Sequence, residues 1–458
     1  MTDFKQLDPF RKKADPQQLD LVEAYAQGKI TRRSFIQRGT VIGLSLASLS
    51  AIVAACGGGS SDTGGGAAVE TGEGGAGTAV TTAEAKQGGT MIWGMALPGS
   101  EGINPVTMID LVTYNVTAQC FEYLVRSAVD LSLVPQLATE WSSNGDATEW
   151  TFTLREGVMW QDGSPLTSKD VVATFERLVE YGNSALNGVL GAGGATAPDD
   201  STVVFTLEAP NSLFPYLVSS DNTQSLITPE SWTVESNLEP GKMLGTGPWT
   251  LESIDPKVSA RYVRNDKWWG GAPALDAIEF QFIEDPQAQV TALAAGEING
   301  IPQFPYDIGE LLFNDANLNI VEMKSATHRE VWMRCDTGQF ADKRVRQALA
   351  LTFDREQMVD KLLGGRGSVA NDQVIFDLYP YYSGSVQQRT RDIDQAKALL
   401  AEAGAEGLSA EMFFIEGQEM PGLAQLIQES AKEAGIDLKI TGSDYGSFYG
   451  KYWCPAEP

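Results

Sequence analysis

Hydrophobic and polar positions alternate along the chain in two rhythms. At 149–155 (EWTFTLR), Trp150, Phe152 and Leu154 share one face, which predicts a half-buried strand. Val203, Phe205 and Leu207 repeat that period of two, and 91–95 (MIWGM) predicts a short apolar strand running into a Gly/Pro loop at 97–105. Asp162-Gly163 is a turn signal. After it the period lengthens: Thr167 and Asp170 have capping-box spacing with Asp in place of Glu or Gln, and Val171, Val172, Phe175, Leu178 and Val179 form one helical stripe. The second half is richer in helices. Asp354 and Gln357 open a helix expected to bury Met358, Val359, Leu362 and Leu363 before Gly364 and Gly365 stop it. Ala396, Leu399, Leu400 and Ala403 run to Gly404, and Leu423, Leu426, Ile427 and Ala431 run to Gly435, after which Ile436, Leu438 and Ile440 alternate as a strand. Strands mixed with helices in this order predict an α/β architecture of two lobes.

The first 89 residues follow neither rhythm. Arg32 and Arg33, followed by Ser34 and Phe35, match a twin-arginine export signal, and 41–55 is an uncharged, mostly apolar run. As a helix that run reaches only about 22 Å, short of the roughly 30 Å of hydrocarbon, so it reads as a leader and not a permanent span. It ends in Val53-Ala54-Ala55-Cys56, which resembles a bacterial lipobox whose cysteine thiol receives a diacylglycerol. Residues 57–89 hold twelve glycines in 33 and read as a flexible tether. The organisation expected is a leader at 1–55, a lipid-anchored tether at 56–89, a first lobe with an extra subdomain at 90–284 and a second at 285–458.

Charge narrows the partners. The chain carries 60 acidic against 33 basic residues, a net charge of −27. Such a surface repels phosphate backbones, and no basic cluster overrides it, so nucleic acid is excluded as a partner. Four cysteines, Cys56, Cys120, Cys335 and Cys454, are too scattered for a disulfide scaffold, and no CxxC pair suggests zinc.

No catalytic constellation emerges. His328 is the single histidine, and there is no GxSxG elbow, no GxxxxGK[ST] phosphate loop and no DxDxDG calcium loop. Gly191, Gly193 and Thr196 only approximate a dinucleotide fingerprint, with Pro198-Asp199-Asp200 standing where its helix would begin, so this stretch reads as a mobile loop. No cofactor and no metal is expected. Ten tryptophans remain as a clue, and those beside Gly/Pro loops suit a cleft for an organic ligand.

Several segments in order then resemble the large solute-binding proteins of ABC importers, of the oligopeptide and dipeptide type. They are 141–178 (WSSNGDATEWTFTLREGVMWQDGSPLTSKDVVATFERL), 245–249 (GTGPW) with 264–270 (RNDKWWG) and 292–299 (ALAAGEIN), 340–356 (FADKRVRQALALTFDRE), and the Ala-Lys-x-Leu-Leu-x-x-Ala-Gly pattern of 396–404. The resemblance implies a bilobal periplasmic-binding-protein-like fold of type II, lobes that close on a peptide or small organic solute, and a monomer that docks on permease subunits. It places ligand contacts in the loop after the first strand (Glu101, Asn104), after the GEIN motif (Gln303, Phe304) and on the strand before the FADKRVR helix (Trp332). Where the family carries Asp and Asn, this sequence has Asn299 and Cys335. Nickel-binding relatives exist, but one histidine argues against nickel. Relatives continue past the position of Pro458, so the expectation is a chain short of its C-terminal part, with Cys454 deprived of a partner. The alternatives are a secreted wall hydrolase or a ligand-sensing partner of a membrane receptor.

Overall fold

The structure, a computed structural model, describes residues 16–42, 44, 49, 52–53, 86–99, 103–233, 243–323, 325, 327–377, 379, 382–444 and 447–453. Cys56, Glu101, Cys454 and most of the tether lie outside the described residues. The chain divides into two compact units, 1–282 with 321–324 and 283–320 with 325–458.

The first unit holds two four-stranded sheets. In one, β1 (Thr90–Met95) runs parallel to β10 (Ala277–Phe282), and β9 (Ser259–Arg264) and β8 (Trp249–Asp255) continue it in antiparallel order. Two short strands, β2 (Val125–Ser127) and β3 (Leu133–Pro135), form a small ribbon. The second sheet is wholly antiparallel, in the order β4 (Ala138–Ser143), β5 (Glu149–Leu154), β7 (Thr202–Thr206), β6 (Ala195–Asp199). Its inner face is built by the alternation seen in the sequence: Trp150 lies opposite Phe205 and Phe152 opposite Val203, and all four are fully buried. Phe175 meets Phe205 edge-on at 5.0 Å from the helix 168–180, Phe152 does so at 5.5 Å, and Phe214 lies 5.1 Å away at a tilt. That helix begins where the spacing predicts, with Asp170 Oδ2 accepting from the Thr167 N–H at 2.8 Å. One expectation fails. Residues 195–199, read as loop, form the edge strand β6, because Ala195 and Thr196 pair with Phe205 and Val204 in spite of the preceding glycines.

Helices of the described residues are numbered in chain order: α1 Pro16–Ala26, α2 Arg32–Val41, α3 Leu111–Thr117, α4 Ser168–Glu180, α5 Pro286–Ala295, α6 Lys343–Thr352, α7 Arg355–Leu363, α8 Ile393–Ala403 and α9 Met420–Glu433, with single turns omitted. None of the helices is long and apolar enough to cross a membrane.

In the second unit, α9 is the crossover between the parallel strands β11 (Ser409–Ile415) and β12 (Asp437–Ser443). Val345, Ala348 and Leu349 of α6, Ala396 and Leu400 of α8, Ile427 and Ala431 of α9, and Ile436 and Leu438 close one core. Asp342, Asp354 and Asp392 cap their helices by accepting from the backbone N–H of Arg344, Gln357 and Gln395 at 2.8, 3.0 and 2.8 Å. Gly404 ends α8 at φ 66°, a left-handed position that a side chain would strain. The burial expected of α7 is not seen: none of its residues is fully buried, since only Met358 packs on the core and the helix is otherwise covered in part.

Candidate ligand-contacting residues

In the first unit the loop after β1 carries Asn104, half-buried, whose Oδ1 accepts from the Val106 N–H at 2.9 Å while its carbonyl accepts from Met108. The side chain thereby folds the turn that leads to α3, which Asp110 caps through the Thr113 N–H at 2.9 Å. Gly99 permits this: a Cβ there would stand 2.9 Å from the Asp110 carboxylate.

The residues 245–249 and 264–270 prove to surround a buried carboxylate that sequence reading missed. Glu122 is 1% exposed. Its Oε2 accepts from the Trp269 indole and the Thr246 hydroxyl, each at 2.9 Å, and its Oε1 from the Trp268 indole at 3.2 Å and from Gln136 at 3.3 Å. Burial pushes its pKa above the ordinary carboxylate value, although these four donors pull it down. Arg155 lies over the Trp269 ring at 4.1 Å. The glycines of GTGPW are needed for close approach: Gly247 N–H donates to the Cys120 carbonyl at 2.7 Å, and a Cβ on Gly245 would fall 1.8 Å from that oxygen. The assembly ties two loops to the end of α3, and every acceptor on Glu122 is engaged from within the protein. The one local signal was the pair of adjacent tryptophans beside the GTG turn.

In the second unit, Gln303 is exposed and Phe304 half-buried. The Phe304 ring lies 5.9 Å from Phe313, over which Arg366 is placed at 4.2 Å. Tyr306 packs 5.5 Å from Phe313 and covers Gly364, the left-handed residue that ends α7. Trp332 belongs to a different cluster. It is 64% exposed, with its ring edge-to-face on Trp453 at 5.1 Å, and Phe448 lies 6.1 Å beyond. The strand expected to carry Trp332 is not present: residues 327–334 form no strand, and β11 pairs with β12 alone among the described residues. The alternation nevertheless survives, since Val331 and Met333 pack on the core and turn Trp332 outward.

Two cavities add no reactive group. One of about 460 Å³ in the first unit is lined by Trp160, Asp162, Asp170 and Glu230, and its aspartates bond Ser164 and Thr167 as turn and cap residues. The other, about 280 Å³ in the second unit, includes His328, which pairs with Glu330. Among the described residues no group of three or more His, Cys, Asp or Glu is arranged to hold a metal, and Cys120 and Cys335 are both free thiols. Burial pushes the Cys120 thiol up to about 12, so it is inert as a nucleophile.

Residues 132–453 match the model of the bacterial extracellular solute-binding proteins, family 5 Middle. The chain belongs to this family. The solute-binding protein is 30% identical over 365 residues to Protein XP55 of Streptomyces lividans, a match covering 74% of this chain and 65% of that protein. It is 27% identical over 404 residues to the dipeptide-binding protein of Escherichia coli K12, covering 81% and 75% of the two. The solved structure of the Escherichia coli murein tripeptide binding protein MppA is similar with a TM-score of 0.63 at 25% identity, covering 81% of this chain and 77% of that one. The chain thus spans about two thirds to three quarters of the length of its relatives. The fold is that of the bilobal periplasmic binding proteins, and the family and the two relatives named for a ligand are binding proteins, not hydrolases.

Proposed function

We propose that this protein captures peptides or similar organic solutes outside the cytoplasm and delivers them to the permease subunits of an ABC importer. The observation that carries this reading is the family match over 132–453, with relatives named for dipeptide and murein tripeptide binding. In this reading 1–55 is a twin-arginine leader, Cys56 takes the lipid that anchors the protein to the membrane, 56–89 is the tether, and 90–284 and 285–458 are lobes that close on the solute as a monomer. Glu101, Asn104, Gln303, Phe304 and Trp332 contact it. The exposed indole of Trp332 supports the assignment, because a large apolar ring kept at the surface gains most from being covered by a ligand. Binding is driven by contacts made only in the closed state, with no bond formed or broken.

The test is calorimetric titration of the purified full chain with a panel of two- to five-residue peptides. Binding of at least one peptide, weakened on the order of tenfold or more in Trp332→Ala, is the expected result. A panel without any binder would remove the peptide reading, and a binder indifferent to Trp332→Ala would remove that residue from the site.

A further inference from the structure

The two N-terminal helices form a small core of their own: Phe35 stacks on Tyr25 at 4.4 Å, and Val22, Leu44, Leu49 and Ile52 are buried with it. Gly39 lets Leu49 approach, since a Cβ there would lie 2.4 Å from its methyl carbon. The C-terminal end of α2 points elsewhere. Thr40 Oγ1 accepts from the Leu133 N–H of β3 at 3.1 Å, and the Val41 carbonyl accepts from the Trp141 indole of β4 at 3.1 Å. The Val41 side chain is 1% exposed and counts among the core residues of the first unit, not of the helix pair. Arg32, at the other end of α2, is exposed.

Two hydrogen bonds therefore join the start of the apolar run to strands about a hundred residues away, with the Val41 side chain buried in the same core, and both bonds need those strands in place. The Leu133 amide is positioned by the β2–β3 ribbon, where Leu133 pairs with Ser127. The Trp141 ring is positioned by stacking on Phe152 at 6.3 Å across the β4–β5 pair. Leu133 is 1% and Trp141 6% exposed, so their N–H groups sit where an unmatched donor is costly. We propose that residues 40–41 are an intramolecular ligand for the β3–β4 surface of the first unit. The segment read as an export leader is latched to its own domain once that domain has folded, while Arg32 at the far end of the helix stays open to solvent. The biological use of the latch rests on the leader reading, but the latch itself does not.

Hydrogen exchange read by mass spectrometry on the intact full chain tests it. In Val41→Asp, peptides covering 32–44 and 130–142 should lose protection together, on the order of tenfold faster exchange, while the β5 peptide 149–154 keeps its own. Retained protection at 130–142, or full exchange of 32–44 already in the unsubstituted chain, would overturn the proposal. Should Val41→Asp also open β5, Thr40→Val, which keeps the side chain's shape and replaces its hydroxyl by a methyl group, decides: faster exchange at Leu133 supports the latch, and unchanged exchange overturns it. The leader reading is tested apart from this, by whether protein extracted from membranes begins at an acylated Cys56.

Discussion

The two units use their aromatic residues in opposite ways. In the first, Trp141, Trp150, Trp160 and Trp232 are all buried, and Trp268 and Trp269 donate to the enclosed carboxylate of Glu122. In the second, Trp332 and Trp453 rest on one another at the surface, 64% and 37% exposed. Glu122 accepts from the half-buried indoles of Trp268 and Trp269 at once, and the buried indoles of Trp141, Trp150 and Trp160 donate to the Val41 carbonyl, the Asn211 carbonyl and the Asp170 carboxylate. A surface indole has water for its N–H and leaves a bare apolar face. The same residue type thus holds the first unit together and leaves the second with a bare apolar surface, which supports the ligand contact proposed at Trp332.

That contrast breaks most severely in the first unit. Phe205→Ala removes the ring on which Phe152, Phe175 and Phe214 converge and should cost about 3 to 5 kcal/mol, read as a lowered denaturant midpoint. A loss below 1 kcal/mol would mean that the aromatic core is not shared as described. Glu122→Ala should follow at about 3 kcal/mol, because both indoles and the Thr246 hydroxyl lose their acceptor inside the protein. If peptide binding measured at saturating stability conditions also disappeared, Glu122 would have a role in the ligand site as well as in the fold.

Titration sharpens the same contrast. Burial raises Glu122 above its ordinary value of 4.5, so the neutral form is the one the fold favours. Its contribution to stability is present below 4.5 and is lost as pH rises through the folded value. Infrared detection of a protonated carboxyl above pH 4.5, absent in Glu122→Gln, is expected; a group already ionised there would contradict it. In the second unit the sign reverses. Hydrogen bonds from Arg334 and Arg344 hold Asp336 and Asp342 down to about 2, so their contribution is present above 3.8 and fades as pH falls toward 2. The Asp336 carboxylate is well exposed, so Asp336→Asn should leave the denaturant midpoint almost unchanged, the smallest effect expected. A larger loss on acid titration would show that this pair is less open to water than its geometry indicates.

Much of the fold was legible because it is local. The alternation at Trp150, Phe152 and Leu154 and the stripe at Val171, Phe175 and Leu178 became buried faces, and Gly364 and Gly404 ended helices in left-handed conformation. The misreadings fell where a distant partner decides. Residues 195–199 look like loop until β7 offers them an edge, and the segment around Trp332 has the rhythm of a strand without a ladder. Of the candidate contacts, Phe304 and Trp332 lie in separate aromatic clusters, and Asn104 is occupied in shaping its own turn.

By itself the sequence determined the order and kind of most elements, the places where helices begin and stop, and the absence of a familiar catalytic motif, since these depend on residues a few positions apart. It also carried the order of motifs by which the family is known. Only the tertiary structure decided which tryptophans are core and which are surface, and that Glu122 receives Thr246, Trp268 and Trp269 from 124 to 147 residues away. A carboxylate's burial and its donors come from chain segments brought together by packing, and no spacing along the chain encodes that meeting.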